Sequence, residues 1–173
     1  MKFTSLLLTI VVAVILQVTL ARYTVGGRLV FDFVLVGVLF VALQSGAVAG
    51  MLAGTVGGLI QDVLAGGVVG IGGLAKSLVG FGAGVVGTQF VLARPHARMA
   101  IIMAATIVHR LIILVIYSSI DQHWPGISWG AMLAETIING LAGFVAFQAT
   151  SALPNAINRQ RAHRRSRFSR RQW

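Results

Sequence analysis

Very few side chains in this chain could do chemistry, and their types and spacing limit what that chemistry would be. The acids are Asp32, Asp62, Asp121 and Glu135, the histidines are His96, His109, His123 and His163, and there is no cysteine. Without cysteine, disulfide, zinc-thiolate and thiol chemistry are absent. The histidines and acids are scattered, with no His-x-x-x-His or His-Glu-x-x-His spacing that would seat zinc. No Gly-x-Ser-x-Gly elbow offers a serine nucleophile either. Asp32 and Asp62 could share a proton as an acid pair. Lys76 is expected between them, however, and that favours neutralisation. Gly70-Ile71-Gly72-Gly73-Leu74-Ala75-Lys76-Ser77 nearly spells a phosphate-binding loop. It has Ala75 where the motif needs glycine, and no soluble strand–turn–helix surrounds it. The sequence therefore points away from an enzyme, and from any cofactor or metal.

The same ionisable groups gain meaning from where they sit. The chain has 173 residues, 57% of them hydrophobic and 10% charged, with a mean hydropathy of +0.87. That composition belongs to an integral membrane protein, and an ionisable group inside a membrane helix marks a functional position by default. Gly46, Gly50, Gly54 and Gly58 recur every four residues, with Asp62 next in register; Gly72, Lys76, Gly80, Gly84 and Thr88 repeat the step. Residues i and i+4 share a helix face, so each run makes a ridge of bare backbone. In water each glycine would weaken a helix by about 1 kcal/mol. In lipid, small residues let two helices approach closely. Gly46, Gly50, Gly54, Gly58, Gly72, Gly80 and Gly84 are the predicted packing face, expected also to dock partner helices, and each ridge carries one charge.

These positions need helices to hold them. Met1 to Leu20 reads as a first, retained helix rather than a cleaved signal, and Arg22 to Arg28 as a loop around Gly26-Gly27. From Leu29 to Ile60 one helix would rise roughly 48 Å against a hydrocarbon core of about 30 Å, so it must break, and Gln44-Ser45-Gly46 is the place. Helices are expected near 29–44, 46–64, 70–93, 99–120 and 130–153. Arg94-Pro95-His96-Ala97-Arg98 should stop the fourth, and Pro154 should begin the exit. The result is an all-α integral membrane bundle over 1–153, with six transmembrane helices, or five if the second-to-third connection is re-entrant. A basic cytoplasmic tail follows over 154–173. With both ends inside, Lys2, Arg94, Arg98 and seven tail arginines lie on the cytoplasmic side against Arg22 and Arg28 outside, as the positive-inside rule requires.

That orientation brings Asp32, Asp62 and Lys76 to a similar depth in the outer half of the membrane, where pairing would ease a burial penalty of several kcal/mol per isolated ion. The ridge helices should then be a hairpin clasped by an ion pair. Arg110 and Glu135 form a second expected pair, since arginine can snorkel towards a carboxylate above it. His109 points about 100° away from Arg110 and reads as a packed histidine rather than a ligand. In the tail, Arg159, Arg161, Arg164, Arg165, Arg167, Arg170 and Arg171 are expected to anchor the topology and contact anionic lipid headgroups. Phe168 and Trp173 give apolar footholds among them, and a nucleic-acid partner is not expected.

Residues 31–84 resemble the MreD family, the rod shape-determining membrane proteins of bacteria. The likeness runs from Phe31-Asp32 opening an apolar helix, through the Gly/Ala stripe at 46–58, to Gln61-Asp62, Gly66-Gly67, Gly70 and Leu74-Ala75-Lys76-Ser77-Leu78-Val79-Gly80. It implies an inner-membrane, non-enzymatic scaffold or regulator of the cell-elongation machinery that makes peptidoglycan. The implied partners are an MreC-like protein, RodA with its penicillin-binding partner, and MreB indirectly; a homodimer stays open. It also implies a fold similar to the substrate-capturing subunits of energy-coupling-factor transporters. The alternative that follows is a small-molecule-binding or transport subunit.

Overall fold

The computed structural model describes residues 3–20, 31–89, 95–121 and 128–169, with side chains in the last stretch as far as residue 150. Among the described residues every element is a helix: α1 Phe3–Leu20, α2 Phe33–Ser45, α3 Ala47–Ala65, α4 Ile71–Gln89, α5 Pro95–Asp121 and α6 Trp129–Ser169. The loop cations Arg22, Arg28 and Arg94, together with Trp124, lie outside the described residues, as do the side chains of all seven tail arginines.

α2 is the axis of the bundle and touches each of the other five helices. Its sequence explains this. Val34 through Ala42 are apolar on every side and all buried, and a helix that is apolar all round belongs inside. On one flank Leu35, Leu39 and Phe40 pack with Val79 of α4, Ile102 of α5 and Phe147 of α6. On the other, Val34, Val38 and Val41 pack with Ile10 of α1 and Ala53 of α3. The rings of Phe40 and Phe147 lie 4.8 Å apart, and the Arg98 guanidinium sits 4.8 Å over Phe147.

The predicted break falls at Gly46, whose φ of +92° is a conformation that favours glycine. One residue both ends α2 and starts α3. At 13 residues, α2 rises only about 20 Å, short of a full crossing. α3, α4, α5 and α6 are long and apolar enough to span a membrane, whereas Leu6–Leu20 and Phe33–Ser45 are shorter apolar helices. Among the described residues the six expected helices are present, and four of them are long enough for full-length spans. Two expectations change. α5 starts at Pro95 rather than near 99, because proline's missing N–H is harmless in a first turn. α6 continues past Pro154 to Ser169, since one proline removes a single helix hydrogen bond and need not end the helix.

The glycine ridges face each other. α3 buries Gly50, Ala53, Gly54, Gly57 and Gly58 and exposes Val48, Leu52, Val56, Val63 and Leu64. This inverts the pattern of a soluble helix and suits one that meets lipid on its bulky side. A methyl added at Gly50 would strike the Gly80 carbonyl, one at Gly54 the backbone of Lys76, one at Gly58 that of Gly73, and one at Gly84 that of Ala47. The two backbones therefore touch along the whole antiparallel crossing. Gly46 and Gly72 play other parts: Gly46 makes the turn, and Gly72 faces the Asp62 carboxylate. The ridges therefore meet inside the chain.

α1 and α6 stand apart across α2, leaving a groove of about 560 Å³ lined by Val12, Phe33, Val36, Phe40, Ile138 and Leu141, among others. Its floor includes Gly37, where an added methyl would lie 2.9 Å from the Ala13 methyl.

Gly54→Ala and Gly80→Leu are expected to destabilise the fold by about 1–3 kcal/mol or more, the usual cost of overpacking. Gly82→Ala, where a methyl meets open space, should instead leave stability unchanged or raise it by up to about 1 kcal/mol. Reversible SDS unfolding of the purified protein in mixed micelles, followed by tryptophan fluorescence, measures all three.

Candidate functional site

The first turn of a helix leaves backbone N–H groups without intrahelical partners, and inside a membrane bundle there is no bulk water to meet them. At the start of α2 side chains from three helices do so. Asp32 caps the turn with Oδ1, which accepts the Leu35 N–H at 2.9 Å. Gln17 of α1 accepts the Phe33 N–H through Oε1 at 2.8 Å and donates from Nε2 to the Phe31 carbonyl at 3.3 Å. Asn139 of α6 accepts the Asp32 N–H through Oδ1 at 3.0 Å.

The other carboxylate oxygen of Asp32 lies 2.8 Å from Lys76 Nζ, and both side chains are less than a tenth exposed. An anion at a helix N-terminus is also favoured by the helix dipole. Lys76 Nζ is 3.4 Å from His109 Nε2. An ammonium only donates, so this contact requires Nε2 to accept, leaving a neutral imidazole with its proton on Nδ1. His109 Nδ1 and Asn139 Nδ2 are buried and have no partner among the described residues. One knot of polar groups thus joins α1, α2, α4, α5 and α6.

Arg110 of α5 donates through Nε to Glu135 Oε2 of α6. Glu135 is buried, whereas the Arg110 side chain is 40% exposed. This pair ties the last two helices, which also approach closely where Gly143 meets Ile102.

Asp62 does not join the knot. Its Oδ2 accepts the N–H groups of Gly70 at 2.9 Å, Gly72 at 3.0 Å and Gly73 at 3.3 Å. The expected cluster of Asp32, Asp62 and Lys76 therefore separates into two. Lys76 faces α2 and pairs with Asp32, while Asp62 meets the bare first turn of α4, whose N–H groups and dipole attract an anion. The near-miss phosphate loop does hold an anion, and that anion is the chain's own carboxylate. Sequence reasoning missed Gln17 and Asn139. The signal available for Gln17 was that it is a lone amide in an apolar stretch, and for Asn139 that it lies one turn beyond Glu135 on the same helix face.

No arrangement of nucleophile and base emerges from these contacts. The side chains fix helix ends and neutralise one another, and no group of three or more metal-ligating residues occurs among the described residues. Fold and site together define a multi-pass helical membrane protein whose intramembrane charges hold its helices in place. The chain belongs to the MreD family: residues 1–153 match the family model described as rod shape-determining protein MreD, upholding the resemblance carried by residues 31–84. No curated protein and no solved structure matches it.

Lys76→Met and Asp32→Asn are each expected to destabilise the bundle by about 3–5 kcal/mol, because each strands or unbalances a buried charge. The double variant should recover most of that loss, and a double-mutant cycle by SDS unfolding reads the coupling directly. Asp62→Ala should cost about 1.5–3 kcal/mol, as expected for hydrogen bonds to a charged acceptor. It should also speed amide hydrogen exchange at Gly70, Gly72 and Gly73 relative to the rest of α4.

Proposed function

We propose that this chain is a non-enzymatic scaffold of the bacterial cell-elongation complex in the inner membrane. It works with an MreC-like protein, with RodA and its penicillin-binding partner, and with MreB indirectly. Family membership supports a role in rod shape. The observation that carries the scaffold part is the fate of the buried charges. Asp32, Lys76 and Glu135 each end on a partner within the bundle and tie helix to helix, which suits a rigid platform better than a reaction or a transport path. The glycine ridges stiffen the platform's own hairpin, and partners dock elsewhere on its surface.

Both termini are assigned to the cytoplasm by the loop cations. The seven tail arginines, Arg159 to Arg171, are assigned to anionic headgroups. The transport alternative, with its likeness to energy-coupling-factor subunits, calls for a cavity with convergent polar groups. The groove beside α2 is lined almost wholly by hydrocarbon and offers a vitamin-like solute little to hold.

Depletion of the protein in its native cell is expected to turn rods round, with the wild-type gene restoring shape. Time-lapse microscopy with an incorporated fluorescent cell-wall label provides the measurement. Cells that stay rod-shaped and keep inserting wall along their flanks after depletion would remove this assignment.

A further inference from the structure

Among the described residues, Arg110 is the member of the two interhelical ion pairs that reaches the bundle surface. It lies near the middle of the span His96–Ile120, and the ten residues to Ile120 amount to about 15 Å of rise. Its Nε–H is held by Glu135, a buried carboxylate, so the side chain cannot also extend to the headgroups. Among the described residues Glu135 is its one hydrogen-bond partner. A guanidinium carries five N–H donors; with the Nε–H taken, the two Nη groups keep four, two of them pointing end-on as a fork, on a side chain 40% exposed. The residues one turn away on its own face of α5, Ile107, Ile113 and Leu114, are aliphatic and half-buried. In hydrocarbon each unmet donor costs several kcal/mol.

We infer that the α5–α6 face around Arg110 is a docking surface for a transmembrane helix of another protein, one that carries a carboxylate at mid-membrane depth. A carboxylate matches the two-donor fork in charge and in geometry, and the aliphatic surroundings suit an otherwise apolar helix. A second copy of this chain fits less well. A two-fold contact on this face would set Arg110 against its own copy, placing like charges together in a low-dielectric medium. The inference rests on the scaffold assignment and adds the place and chemistry of one partner contact.

The test uses the full-length protein in phosphatidylcholine bilayers with two single-pass leucine–alanine peptides that differ only at the midpoint, aspartate or leucine. Association is read by energy transfer from a donor on the protein to an acceptor on the peptide. The aspartate peptide is expected to bind about tenfold more tightly, in the range of interhelical polar contacts in membranes. That preference should vanish in the Arg110→Met/Glu135→Gln double variant, which removes both charges together and so leaves no stranded glutamate; SDS unfolding verifies that this variant is folded. Equal binding of the two peptides overturns the inference, as does an aspartate preference that survives the double variant. Energy transfer between two labelled copies of the protein that outcompetes the peptide and depends on Arg110 would also overturn it, in favour of self-association. Peptides that fail to discriminate would remove this interface and leave the elongation role to the depletion experiment. Rods that survive depletion would remove that role without touching the peptide result.

Discussion

Hydrocarbon supplies no hydrogen bonds, so a polar group taken inside this bundle is costly unless it finds a partner there. That constraint is felt most at the start of α2. The helix is short, central and enclosed, so its first-turn N–H groups cannot be left to solvent. Asp32, Gln17 and Asn139 meet them, and Lys76 meets the charge that capping introduces. Each of these side chains comes from a different helix, so satisfying one helix end fixes the relative positions of four, and His109 adds a fifth.

A second constraint is steric. Lipid is as apolar as leucine, so no hydrophobic force drives α3 against α4. Their adhesion must come from close contact, and close contact needs small residues. The hairpin supplies them at Gly50, Gly54, Gly58, Gly80 and Gly84. The Asp62 carboxylate then fastens the turn by binding the free N–H groups at the start of α4. The ridge and the cap act together: the glycines set the distance between the helices, and Asp62 fixes where they turn.

The two constraints produce a bundle in which charge is structural on the inside and presented outward at Arg110. Such a body suits the fixed platform proposed above. Its buried ion pairs resist rearrangement, since breaking one would strand a charge. Its outer faces, rich in aliphatic side chains, are free to meet lipid or neighbouring helices.

Much of this was legible in the residues alone. Hydropathy marked a membrane bundle, glycine at Gly46 marked the break between α2 and α3, and four-residue spacing identified the faces that would pack closely. The pair Arg110–Glu135 and the set Asp32, Asp62 and Lys76, from which the Asp32–Lys76 pair comes, could be named from depth, because helix rise converts sequence number into height in the membrane. What could not be read was azimuth. Spacing shows that Asp62 and Lys76 lie on smooth faces at similar height, but not that Lys76 turns towards α2 while Asp62 turns towards the α4 backbone. The hairpin of the two ridges was legible, but not that their contact would take up the glycines at Gly50, Gly54, Gly58, Gly80 and Gly84 within the chain. Gln17 and Asn139 were invisible for the same reason. An amide in a membrane helix acquires its role only when another helix end, distant in sequence, is brought against it, and that is decided by packing in three dimensions.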